Sequence, residues 1–160
     1  MLVLLPLAAF ALVFLWDGLP PGLVAAFDRA PALSEIGTAA GAIDHESARF
    51  DSCGGGARVT CIVDGDTIWY RGEKIRIADI DTPEVSQPGC AREAELGAAA
   101  TRRMRSLLNE GPFSLEPVDR DRDRYGRLLR TVTRDGESLG AVLVDEGLAE
   151  EWGGTRRAWC

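Results

Sequence analysis

The sequence predicts an α+β domain, mainly β, with elements in the order strand, strand, strand, helix, strand, strand, helix, preceded by an apolar N-terminal segment and a linker. Three observations carry this. β-forming runs at Val59 to Val63 and Thr67 to Tyr70 flank Asp64-Gly65, a pair that favours a tight hairpin turn because both residues tolerate positive φ. Ala94, Gly97, Ala98, Thr101, Met104, Leu107 and Leu108 recur at helical spacing, which predicts a helix over Ala91 to Asn109. Ser138 stands ahead of a shorter run in which Leu139, Val142 and Leu143 share a face, the pattern of a capped helix.

The chain of 160 residues has room for one domain of ordinary size and an additional segment. Residues 1–16 form the apolar segment, 17–57 a poorly structured linker and 58–160 the folded domain. Leu2 to Trp16 is apolar throughout, but as a helix it spans only about 22 Å against the ~30 Å hydrocarbon core. It reads as a signal-peptide core or short signal anchor, although the first Arg is Arg29 and no clean small-x-small cleavage site follows. Asp17 to Phe50 contains Pro20-Pro21-Gly22 and few large apolar residues, little from which to build a core.

Within the domain, a second turn at Arg71 to Glu73 leads into Lys74 to Ile80, where Ile75 and Ile77 alternate with Arg76 and Ala78. Alternation sets Arg76 on the face opposite the isoleucines. Pro83 biases Thr82 away from helix, so the meander ends in a fixed turn carrying Asp81, Thr82 and Glu84. After the long helix, which Gly111-Pro112 stops, Phe113 to Val118 and Leu128 to Thr133 read as strands. The charged alternation between them, Asp119 to Arg127, reads as a solvated loop in which Gly126 permits the turn that presents Arg127. The final helix runs from the Ser138 cap to Glu146, with Gly147 as its stop.

Composition narrows the chemistry. His45 is the only histidine and precedes the domain, which sets aside His-based zinc sites, His general bases and Ser-His-Asp arrangements. Cys53, Cys61, Cys90 and Cys160 include no CxxC pair, and an even number in an exported domain reads as two disulfides. The formal net charge is −7, and from Asp51 onward 20 acidic residues outnumber 16 basic ones. Any hold on nucleic acid is therefore expected to be weak and salt-sensitive, resting on local charge.

The carboxylates of the first three strands suggest a site. The meander can return its far turn to its first, so that Asp66 and Asp81, with Asp64 nearby, share a hard cation that prefers oxygen ligands. Taken singly these residues have ordinary explanations: acidic residues serve turn geometry, and an alternating Arg is usually a solvated face. Their combination is more telling. The run DGDTI, the run RIADIDTPE from Arg76 to Glu84, and DRYGR from Asp123 to Arg127 together resemble the staphylococcal nuclease, or thermonuclease, family, over about Arg58 to Trp152.

The resemblance implies a five-stranded OB-fold-like β-barrel carrying helices, a scaffold that often binds nucleic acids or saccharides. It implies that Asp66, Asp81 and the backbone carbonyl of Thr82 hold one Ca2+, with Asp64 ordering the turn or a metal-bound water. Arg76 and Arg127 then clamp the scissile phosphate and Glu84 activates water. The expected activity is Ca2+-dependent hydrolysis of DNA or RNA leaving 3′-phosphate ends, by a monomer that is periplasmic or extracellular, free or tethered to a membrane through residues 1–16. Trp152 stands where a base-stacking aromatic is expected, with packing as its other reading. Two alternatives remain: a non-catalytic OB-fold module that binds nucleic acid, and a membrane-tethered interaction domain. For the cysteines, the glycine run after Cys53 lets it fold back on Cys61, and Cys90 lies where the tail of this family's domain passes, so the expected pairs are Cys53 with Cys61 and Cys90 with Cys160.

Overall fold

In the computed structural model, hydrogen bonding runs through a mixed sheet of seven strands and a separate two-stranded ladder, with two helices packed alongside. Residues 43–154 and 158–160 are described; the apolar segment 1–16 and the linker as far as residue 42 lie outside them. The elements are β1 (Asp51–Ser52), β2 (Cys61–Asp64), β3 (Thr67–Tyr70), β4 (Glu73–Ile77), β5 (Ile80–Asp81), α1 (Ala91–Asn109), β6 (Ser114–Arg122), β7 (Leu128–Arg134), β8 (Glu137–Ser138), α2 (Leu139–Asp145) and β9 (Glu150–Glu151). Strand order is β1-β2-β3-β4-β7-β6, with β8 attached to β7 and β5-β9 forming a separate ladder. The path is open: no pairing joins its ends among the described residues. No helix among those residues is long and apolar enough to cross a membrane.

Local signals place several elements. The helix α1 has the expected bounds and buries Gly97, Ala100, Met104, Leu107 and Leu108. The hydroxyl of Ser138 accepts from the N–H of Ala141 and caps α2. Hairpin turns with positive φ at both central residues occur at Arg71-Gly72 (52° and 85°) and at Asp135-Gly136 (52° and 84°), which suits the twist of paired strands.

Other elements differ from expectation. The third strand does not run through to Ile80: β4 stops at Ile77, and β5 leaves the sheet to pair with β9, Ile80 opposite Glu151 and Asp81 opposite Glu150. The break is stabilised because Nη1 of Arg76 donates to the carbonyls of both Ile77 and Ile80. The first half of the charged run is strand rather than loop, since β6 extends to Arg122.

The largest correction concerns the linker. Its described part, 43–57, is integrated into the fold. Phe50 is fully buried, with ring centroids 6.0 Å from Tyr70 and 5.9 Å from Phe113. Glu46 exchanges backbone hydrogen bonds with Phe113, both 2.9 Å, and accepts from the Tyr70 hydroxyl at 2.6 Å. One large aromatic in the right place compensates for the polar sequence around it, because a fully buried ring contributes several kcal/mol. Both disulfides form as expected, Cys53–Cys61 and Cys90–Cys160.

Candidate active site

The site begins at the break between β4 and β5. Arg76 does lie on the face opposite the isoleucines, but that face is covered and Arg76 is buried. Its Nη2 lies 3.0 Å from Asp81 Oδ1 and 3.2 Å from Asp66 Oδ2, so one guanidinium bridges both carboxylates. The Trp152 ring lies over it, 5.2 Å from centroid to Cζ.

Asp66 is equally constrained. Its Oδ2 accepts from the N–H and the hydroxyl of Thr82, each 3.0 Å, and its Oδ1 accepts from the Thr67 hydroxyl at 3.0 Å. Asp64 orders the turn, accepting from the N–H of Asp66 at 3.2 Å. Burial, and next the neighbouring Asp66 charge, push the Asp64 carboxyl up to about 6 from an ordinary 3.8.

Two glycines bring this turn into place through space rather than φ. Gly65 does not adopt a positive φ. A Cβ there would stand 2.8 Å from Thr82 Cγ2 and 2.9 Å from Ala100 Cβ. At Gly97 it would stand 2.6 Å from the carbonyl oxygen of Pro83. The turn from Asp81 to Glu84 is therefore held between the first hairpin and α1 at distances only glycine allows.

Arg127 enters from the other side. Its Nε donates to Asp123 Oδ2 at 2.7 Å, while Asp123 Oδ1 accepts from the N–H groups of Tyr125 (2.9 Å) and Arg127 (3.0 Å). Burial alone would raise the Asp123 carboxyl; the hydrogen bonds and charge of Arg127 outweigh it and hold the group below 3.8. Arg76, Arg127, Tyr125 and Trp152 line one groove of about 850 Å³. Tyr125 and Trp152 are both exposed, at 68% and 60%.

The structure thus joins Asp66, Asp81, Thr82 and Arg76 by direct contact and places Arg127 on the same groove as Arg76. Glu84 is exposed and stands apart, its carboxylate without a hydrogen bond or ion pair among the described residues; its N–H lies 3.5 Å from Glu93 Oε1. Sequence reading missed Asp123, although an Asp four residues before Arg127 is itself a signal for the ion pair.

The oxygen donors fit a hard cation. Asp66 and Asp81 converge closely enough to share one guanidinium nitrogen, and Asp64 stands beside Asp66 on the same turn. Among the described residues no three carboxylate, His or Cys side chains meet at one point, so the Thr82 carbonyl and solvent would complete the shell.

Sequence comparison bears on the same residues. The family model described as staphylococcal nuclease homologue matches residues 74–157, just over half of the chain. The chain belongs to the staphylococcal nuclease family. That match includes Arg76, Asp81, Thr82, Glu84 and Arg127, while Asp66 lies ahead of it. Among curated relatives, the chain is 42% identical over 92 residues to endonuclease YncB of Bacillus subtilis (strain 168), covering 54% of this chain and 43% of that one. It is 44% identical over 92 residues to the SPbeta prophage-derived endonuclease YokF of the same strain, covering 54% and 31%. It is 33% identical over 92 residues to a thermonuclease of Staphylococcus intermedius, covering 55% and 54%. The chain thus spans about half or less of the length of these curated relatives.

Proposed function

We propose that this protein is a Ca2+-dependent nuclease that hydrolyses phosphodiester bonds of DNA or RNA and leaves 3′-phosphate ends. The observation that carries the reading is the groove in which Arg76 of β4 and Arg127 at the start of β7 lie together, flanked by exposed Tyr125 and Trp152. Arginines suit phosphate oxygens, and the exposed rings suit stacking of bases.

The residues divide the work. Asp123 occupies Nε of Arg127, which directs the two Nη groups to phosphate. Both Nη atoms of Arg76 are engaged by protein oxygens, so Arg76 supplies fixed positive charge beneath Trp152 rather than a free fork. Asp66, Asp81 and the Thr82 carbonyl would hold Ca2+, which when bound supplies Lewis-acid polarisation of a phosphate oxygen. Glu84, unpaired and exposed, accepts the proton of the attacking water; the new bond is water oxygen to phosphorus, the P–O5′ bond breaks, and the 5′-oxygen takes a proton from solvent. The reading extends to location: two disulfides suit an oxidising, exported setting, where residues 1–16 would direct or tether the chain.

The exposed aromatics also favour a second reading, a strand-binding module without catalysis. One experiment separates them. Plasmid DNA and single-stranded RNA are incubated with the protein in Ca2+ or in EDTA, and the fragments are tested for extension by terminal transferase before and after phosphatase treatment. Ca2+-dependent cleavage giving ends that extend only after dephosphorylation is expected. Binding without cleavage would select the second reading, and directly extendable ends would overturn the 3′-phosphate assignment.

A further inference from the structure

The outer face of α1 carries a basic surface separate from the groove described above. Arg102, Arg105 and Asn109 recur at spacings of three and four along the helix, with Ser106 beside them. Asn109 uses its whole amide on the neighbouring chain, accepting from the N–H of Phe50 at 2.8 Å and donating to its carbonyl at 2.9 Å. Since the Phe50 ring is fully buried, the segment 49–51 is fixed alongside the helix, and Arg49 lines one depression with Arg102 and Arg105. A depression of about 610 Å³ lies among them.

Its electrostatics are unbalanced. Arg49, Arg102 and Arg105 make no ion pair among the described residues, and Arg105 has one hydrogen bond, to the Ser52 hydroxyl at 3.1 Å. Of the two carboxylates on the rim, Glu110 is engaged by Arg103 at 3.3 Å and Arg134 at 3.9 Å, which leaves Asp51 alone against three guanidiniums. In a chain of net charge −7, positive charges gathered without partners repel one another unless an anion occupies the space between them.

We propose that this depression binds the phosphate backbone of a nucleic-acid strand, as a second contact for the substrate held at the Arg76–Arg127 groove; the proposal rests on the nuclease reading of that groove. Guanidiniums meet phosphate oxygens through paired, charge-assisted hydrogen bonds, while the Ser106 hydroxyl is already donated to Glu110 Oε1 at 3.2 Å. Contacts of this kind position a strand without reading its sequence. None of the exposed large apolar side chains, Ile43, Val59, Val85, Tyr125 and Trp152, lines the depression, so it offers nothing to insert into a lipid surface.

The test uses the double variant Arg102→Glu/Arg105→Glu of the full chain. Fluorescence anisotropy in EDTA measures binding of a long single strand over a range of salt concentrations, and cleavage in Ca2+ is measured on that strand and on a tetranucleotide. Expected are a loss of about tenfold or more in long-strand affinity and a salt slope shallower by about 1.4, or about 0.7 for each lost contact, with tetranucleotide cleavage unchanged. Unchanged long-strand affinity and slope would overturn the proposal, as would equal losses on both substrates. So would loss of binding to phosphatidylserine vesicles with strand affinity intact, which would point to a membrane. Circular dichroism checks the fold, and Arg102→Gln/Arg105→Gln gives the same test at reduced charge if the reversal does not fold. Absence of cleavage by the wild-type protein would overturn the nuclease reading, while the anisotropy measurements still decide whether the depression holds a strand.

Discussion

Gly97 lies so close to Pro83 that a Cβ on the glycine would stand 2.6 Å from the proline's carbonyl oxygen. This contact sets α1 directly against the turn that carries Asp81, Thr82 and Glu84. Gly97→Ala should therefore push that turn away from Asp66, at a cost of about 1–3 kcal/mol typical of overpacking. A thermal melt and a cleavage assay on the same preparation check this. Wild-type values in both would show that the turn tolerates the displacement.

Phe50 connects the segment ahead of β1 to Tyr70 and Phe113. Phe50→Ala should destabilise by about 3–5 kcal/mol, the range for a buried phenylalanine. Denaturant unfolding measures it; a change below about 1 kcal/mol would restore the view of this stretch as a dispensable linker.

The two arginines should fail in different ways. Arg76→Ala strands buried Asp66 and half-buried Asp81 without their shared cation, and breaking such a pair costs about 3–5 kcal/mol. Arg127 is more accessible, so Arg127→Ala should leave most stability in place and lower turnover by about 10²–10³-fold. Unfolding curves and initial rates compared side by side would contradict this if Arg76→Ala melted like wild type or Arg127→Ala cleaved like it.

Asp123 makes stability depend on acid. Its carboxyl is held below 3.8 in the folded protein, so the folded state keeps the group ionised at pH values where the unfolded chain binds a proton. The stabilisation is complete above the unfolded value of 3.8 and is lost as pH falls through the lower folded value. Asp123→Asn should accordingly melt below wild type at neutral pH, with the gap narrowing as the pH is lowered below 3.8. A gap in Tm that stays constant through that range would argue against the linkage.

The disulfides should contribute unequally. Cys90–Cys160 closes a separation of 70 residues and Cys53–Cys61 one of 8. Loop entropy then gives about 4 and about 2.5 kcal/mol as upper figures. Cys160→Ser should lower the melting temperature more than Cys53→Ser under non-reducing conditions; the reverse order would contradict the entropic account.

What the sequence determined by itself is local or carried by motif. The bounds of α1, the Ser138 cap and the turn containing Pro83 depend on residues within a few positions of one another, where periodicity, side-chain capping and ring constraint act directly. The motif resemblance gave Asp66, Asp81 and Thr82 as metal ligands and Arg76, Arg127 and Glu84 as catalytic residues; the structure brings Asp66, Asp81, Thr82 and Arg76 into contact, while Arg127 shares only the groove and Glu84 stands apart.

Tertiary structure decided the rest, because burial depends on which surfaces meet and no spacing along the chain encodes that. Alternation could set Arg76 opposite Ile75 and Ile77, but only the arrival of Trp152, Asp66 and Asp81 on that side made it buried and ion-paired. Gly65 was legible as a turn residue, whereas its need for a missing Cβ follows from Thr82 and Ala100 lying against it. Phe50 in a polar stretch gave no periodic signal; it became core because Asn109 of α1, Tyr70 of β3 and Phe113 just ahead of β6 converge on it.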